Sequence, residues 1–89
     1  MNTNKANKLY DILVEECGAL ETERENFVYH QTNDPEELVR EWRFCGNLGF
    51  GGKFWRNDGR LYVNCYNEDM TPERQKMIDR ANQRLSELN

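Results

Sequence analysis

The feature that most restricts how this chain can fold is the turn Asn57-Asp58-Gly59-Arg60, set between two runs rich in aromatic residues. A two-residue hairpin loop needs positive φ at both central positions, and Asp-Gly adopts that geometry at little cost. With Asp58 and Gly59 as the loop, the facing pairs are Asn57/Arg60, Arg56/Leu61, Trp55/Tyr62, Phe54/Val63, Lys53/Asn64, Gly52/Cys65 and Gly51/Tyr66. Side chains alternate between the two faces of a strand. Phe50, Phe54, Leu61, Val63 and Cys65 then share one face, suited to burial against helices. Lys53, Trp55, Tyr62, Asn64 and Tyr66 share the other, an aromatic and polar surface left for water or a partner. A three-residue loop would swap the faces on one strand.

Glu41 to Tyr66 holds both tryptophans, seven of the ten aromatics and five of the six glycines. It reads as three antiparallel strands, the first from Glu41 to Gly46. An Asn47-Leu48 loop would set Phe44 opposite Gly51 and Trp42 opposite Lys53, which adds Trp42 to the aromatic face. The Gly-Asn-Leu-Gly sequence allows several loop lengths, so this register is less constrained than that at Asp-Gly.

The flanking sequences read as helices. From Asn4 to Cys17, Leu9, Ile12, Leu13 and Cys17 recur at three- and four-residue spacing, with Gly18 as the stop. Glu21 to about Thr32 reads as a second helix, with acids in its first turns and Phe27 and Val28 buried. FVYHQ, rich in β-formers, leaves a strand over 27–31 as the competing reading. Asp34-Pro35-Glu36-Glu37 is a helix start followed by one or two turns, with Leu38 and Val39 inward. Thr71 caps and Pro72 opens a last helix, whose stripe is Met77, Ile78, Ala81, Leu85 and Leu88. The expectation is one α+β domain over residues 1–89. It has two N-terminal helices, a three-stranded antiparallel meander over about 41–66, and a C-terminal helix over about 72–88 packed on the sheet. Leu9, Ile12, Leu13, Phe27, Val28, Leu38, Phe50, Phe54, Val63, Ile78, Ala81 and Leu85 are the core candidates.

No stretch of about 18 apolar residues suggests a membrane span. The polar start MNTNKANK offers no signal-peptide core. Cys17, Cys45 and Cys65 are odd in number and match no disulfide framework, so a reducing, cytoplasmic setting is expected. The net charge of −4 is unevenly spread. Leu9 to Leu38 carries nine acids against Arg24 alone, whereas Val39 to Val63 carries five bases against Glu41 and Asp58. An acidic helical region thus precedes a mildly basic sheet, a polarity that steers partners.

Residues for catalysis are sparse. Ser86 is the single serine, in the last turn, and His30 the single histidine, without an Asp-His or His-x-x-x-His pattern around it. Cys17, His30, Cys45 and Cys65 lack the close ligand pairs of a zinc site. Gly52-Lys53 leads into Phe54 and Trp55 rather than into a helix, so GNLGFGG lacks the context of a phosphate loop. Its glycines suit a tight hairpin, a bulge or close backbone approach. No enzyme activity, cofactor or metal is expected.

Two surfaces remain. Trp55, Tyr62, Tyr66 and Lys53, with Trp42, Arg56 and Arg60, form a candidate partner-binding platform. Such a set suits a protein hot spot, a stacking surface for single-stranded nucleic acid, or a core or homodimer interface. The net negative charge counts against nucleic acid. Glu15, Glu16, Glu21, Glu23 and Glu25 form a candidate acidic patch, either a solvated helical surface or a dock for a basic partner that imitates phosphates. In size, acidity and absence of enzyme motifs the chain resembles, in type, the inhibitors and adaptors encoded by phages and mobile elements. The expected function is non-catalytic binding of a protein partner whose identity the sequence does not specify.

Overall fold

The computed structural model describes residues 1–35, 40–57 and 59–88. Helices α1 (Thr3–Cys17) and α2 (Arg24–Asn33) precede strands β1 (Arg40–Cys45), β2 (Gly51–Asn57) and β3 (Arg60–Cys65), and helix α3 (Pro72–Ser86) follows them. The strands make one antiparallel sheet in the order β1-β2-β3. The C-terminal helix packs on it, so the α+β fold expected from the sequence is the one observed.

Local signals explain the helices. The Asn2 side chain caps α1 by accepting from the Lys5 N–H at 2.8 Å. Gly18, at φ 71°, ends it in the left-handed conformation. A single 3₁₀ turn, Glu21–Glu23, leads into α2. The segment 27–31 is helical rather than extended, because helical spacing puts Phe27 and Gln31 on one buried side. The Phe27 ring lies 4.9 Å from that of Tyr10 on α1. Asp34 closes α2, its N–H donating to the His30 carbonyl at 2.9 Å. The short helix expected after it, with Leu38 and Val39 inward, lies outside the described residues. In α3 the Thr71 hydroxyl accepts from the Arg74 N–H, and Ile78, Ala81 and Leu85 are buried.

The three helices cover one face of the sheet. Phe44, Phe54, Leu61, Val63 and Cys65 from that face join Leu9, Tyr10, Ile12, Leu13, Phe27, Phe50, Ile78 and Leu85 in the core. Val28 is only partly buried there.

The β2–β3 register runs from Asn57↔Arg60 to Gly52↔Cys65, as read from the Asp-Gly turn. The β1–β2 register is one residue away from expectation. Phe44 pairs with Gly52 and Trp42 with Phe54, not with Gly51 and Lys53. The reason is the loop. Gly46 N–H donates to the Phe50 carbonyl at 3.1 Å, leaving three residues, Asn47 to Gly49, in the turn. Gly49 has φ 81°, as the last residue of a three-residue hairpin loop requires. Docking onto α1 holds this loop in place. Asn47 N–H donates to the Gly18 carbonyl at 2.8 Å, and a Cβ on Gly46 would lie 2.6 Å from that oxygen. The glycines here serve close backbone approach. A one-residue slip flips every side chain of a strand, so Trp42 and Phe44 belong to the covered face.

Candidate partner-binding face

The opposite face of the sheet carries Glu41, Arg43, Lys53, Trp55, Tyr62, Asn64 and Tyr66, and none of these side chains is buried. Trp55 and Tyr62 face each other across β2 and β3, with ring centroids 5.0 Å apart and planes 16° from parallel. The Arg60 guanidinium lies 4.6 Å from the Tyr62 centroid. Tyr62 therefore packs against both an indole and a cation. An aromatic pair is worth about 0.5–1.5 kcal/mol beyond area burial, and an exposed cation–π contact about 0.5–1 kcal/mol.

Lys53 organises the β1 side of this face. Its Nζ lies 2.9 Å from Glu41 Oε1 and 5.9 Å from the Tyr66 ring centroid. Arg43 Nε donates to the same Glu41 oxygen at 3.2 Å. The hydrogen bond from Lys53, followed by the charges of Lys53 and Arg43, holds the Glu41 carboxyl below the usual carboxylate range. With Arg60, this face has three cations against one described carboxylate, in a chain whose net charge is −4. A groove of about 710 Å³ continues it around the β3 edge, between Tyr62 and Asn64 on one side and Gln75, Asn82 and Ser86 of α3 on the other.

Of the residues expected at the site, Lys53, Trp55, Arg60, Tyr62 and Tyr66 come together. Trp42 and Arg56 lie on the other face. The Trp42 ring meets Phe27 edge-on at 5.5 Å and sits 6.1 Å from His30, half-buried. Arg56 is 3% exposed. Its Nη1 donates to the Gln31 carbonyl at 2.7 Å, and its Nη2 to the carbonyls of Asp34 and Pro35 at 3.2 and 3.4 Å. It clamps the end of α2, where carbonyls lack helical partners and the dipole is negative. Alternation from the Asp-Gly turn already places Arg56 beside Phe54 and Leu61. Arg43 was not among the expected site residues, since only the true β1 register makes it a neighbour of Lys53.

The acidic residues do not form one open patch. Glu15 and Glu16 meet α3, with Arg84 3.2 Å from Glu15 and Arg80 3.8 Å from Glu16. Glu21 is gripped by Arg24, which also reaches Asp11, each at 2.7 Å, and lies 5.2 Å from the Tyr10 ring centroid. Glu23 and Glu25 are exposed beside that cluster. Burial, then the nearby Glu23 and Glu21, push the Tyr10 hydroxyl up to about 12. That hydroxyl donates to the Leu20 carbonyl.

The chemically reactive residues are dispersed. The Ser86 hydroxyl donates to the Gln83 carbonyl at 2.6 Å. His30 Nδ1 lies 3.4 Å from an Asp34 carboxylate oxygen. All three thiols are free, with Cys17 and Cys65 buried and Cys45 exposed. Burial pushes the Cys17 thiol up to about 12. Among the described residues, no three His, Cys, Asp or Glu side chains gather into a metal-binding group. Among the same residues, no helix is long and apolar enough to cross a membrane. Comparison with protein-family models, with curated proteins and with solved structures finds no match for the chain.

Proposed function

We propose that this chain is a non-catalytic protein-binding domain whose working surface is the uncovered face of the sheet. The observation that carries the reading is the Trp55–Tyr62 stack on a face whose side chains no described helix buries. Trp, Tyr and Arg are the residue types that dominate binding hot spots. Trp55, Tyr62 and Tyr66 would anchor the partner, while Arg43, Lys53 and Arg60 favour one with acidic groups around an apolar centre. Binding of this kind acts by covering or bridging a partner's surface, as an inhibitor or adaptor does. Three free thiols fit a reducing, cytoplasmic setting.

Charge favours protein over single-stranded nucleic acid. Phosphate binding rests on a basic excess, and the chain's net charge is −4. The test uses the wild type and a Trp55→Ala/Tyr62→Ala variant with matching circular dichroism. The wild type is expected to retain a protein from host lysate that the variant does not. Loss of folding in the variant would make these residues part of the core and end the proposal. Tryptophan quenching by mixed-sequence single-stranded DNA or RNA, weakening steeply with salt, would replace it with the nucleic-acid reading.

A further inference from the structure

We propose that the chain pairs with a second copy of itself along the outer edge of β1, with Glu41 of each copy opposite Arg43 of the other. In an antiparallel ladder, successive residues turn their N–H and C=O groups alternately toward and away from the partner strand. Gly46 N–H bonds to Phe50, which sets the phase: Phe44 and Trp42 point their backbone groups at β2. Those of Glu41, Arg43 and Cys45 point away from the sheet, and no described residue bonds to them. The other edge is treated differently. Asn82 of α3 clasps Val63 there, its Oδ1 accepting from the Val63 N–H at 2.8 Å and its Nδ2 donating to the Val63 carbonyl at 2.9 Å. Asn64 Oδ1 accepts from the Cys65 N–H at 3.0 Å. One edge is occupied by side-chain amides, and the other presents a row unpaired among the described residues, the template on which strands add.

Charge selects both the occupant and the register. Two copies of β1 pair antiparallel about a two-fold axis, with outward-pointing residues opposite one another. Pairing Glu41 with Glu41, or Arg43 with Arg43, sets like charges face to face, which is destabilising. Pairing Arg43 with Cys45 matches no charges. Pairing Glu41 with Arg43 makes two opposite-charge pairs at once. The same register puts Trp42 opposite Trp42 at the closer, non-hydrogen-bonded position of the ladder. Trp42 is the tryptophan that the helices leave half-covered on their side of the sheet. The two-fold axis is perpendicular to the sheet, so both aromatic faces lie on the same side of a six-stranded sheet. The pairing does not rest on the partner-binding reading, although it would double that surface.

The contact is small beside the roughly 1,600 Å² of a stable interface, so dimers should appear on the order of 100 μM chain. Sedimentation velocity from tens of micromolar to about one millimolar tests this. The wild-type mass is expected to rise from 10.6 kDa toward twice that value. Arg43→Glu and Glu41→Arg should each remain monomeric, and the double swap Glu41→Arg/Arg43→Glu should dimerise again. Arg43 and Glu41 are exposed, so circular dichroism should stay unchanged in all three. A wild type that stays monomeric at the highest concentration overturns the proposal, including in favour of a strand from another protein. So does an Arg43→Glu variant that dimerises like the wild type, or a double swap that is not restored. Loss of dimers in Trp55→Ala/Tyr62→Ala, with the charge variants unaffected, would move the interface to the aromatic face and overturn it equally.

Discussion

Two faces of one strand carry opposite consequences. From β2, Phe54 and Arg56 project toward the helices while Lys53 and Trp55 project away. Both faces pair an aromatic with a cation, so composition does not tell them apart. What differs is the surroundings. Phe54 is fully buried and meets Phe27 edge-on at 5.3 Å, and Arg56 spends its guanidinium on backbone carbonyls at the end of α2. Trp55 stacks on Tyr62 of β3, and Lys53 reaches Glu41 and Tyr66 along the surface. An arginine beside an aromatic is a tether on one face and a contact point on the other.

Substitutions along β2 should separate the faces by size of effect. Phe54→Ala removes a fully buried ring from the centre of the core and should cost about 3–5 kcal/mol in denaturant unfolding. A loss under about 1 kcal/mol would erase the distinction between the faces. Arg56→Ala should cost about 2 kcal/mol, because charge-assisted bonds are lost and the buried Gln31 carbonyl is left unpaired. The figure is not larger because Arg56 Nε already lacks a partner among the described residues. Hydrogen exchange should then quicken at the end of α2 before it does in the sheet. Trp55→Ala should cost about 1 kcal/mol, the size of an aromatic pair on a half-buried surface, while removing partner binding. If Trp55→Ala unfolds the chain as Phe54→Ala does, the outer face is structural.

The sequence made one hairpin legible and left the other open, for a physical reason. At Asp58-Gly59, local φ preference alone selects the loop, so every β2–β3 pair follows from it. At Gly46 to Gly49 several loops suit the local sequence. The choice falls to a tertiary contact, the Gly18 carbonyl accepting from Asn47, that no periodicity announces. The same limit applies to Arg56. Alternation places it inside, but the carbonyls that make burial tolerable come from Gln31, Asp34 and Pro35, more than twenty residues earlier. The helix stripes of α1 and α3 were readable because each follows from its own residues.

Thiol reactivity tests the β1 register with the least perturbation of all. Cys45 lies on β1 in phase with Glu41 and Arg43, so its thiol is exposed, while Cys17 and Cys65 are buried. An Asn47-Leu48 loop would reverse this for Cys45 and turn it toward the helices. A thiol reagent at neutral pH should label one cysteine quickly and the other two only at the rate of unfolding, with mass spectrometry placing the fast label on Cys45. Burial first, then the neighbouring Glu16, raises the Cys17 thiol to about 12 from an ordinary value of 9.0. A group that holds its proton more tightly when folded adds stability below its unfolded value and loses it as pH rises toward the folded one. Slow labelling should therefore accelerate between about pH 9 and 12, beyond the thiolate chemistry of Cys45 itself. Fast labelling of Cys17 at neutral pH would contradict the packing of α1, and slow labelling of Cys45 would return Trp42 to the outer face.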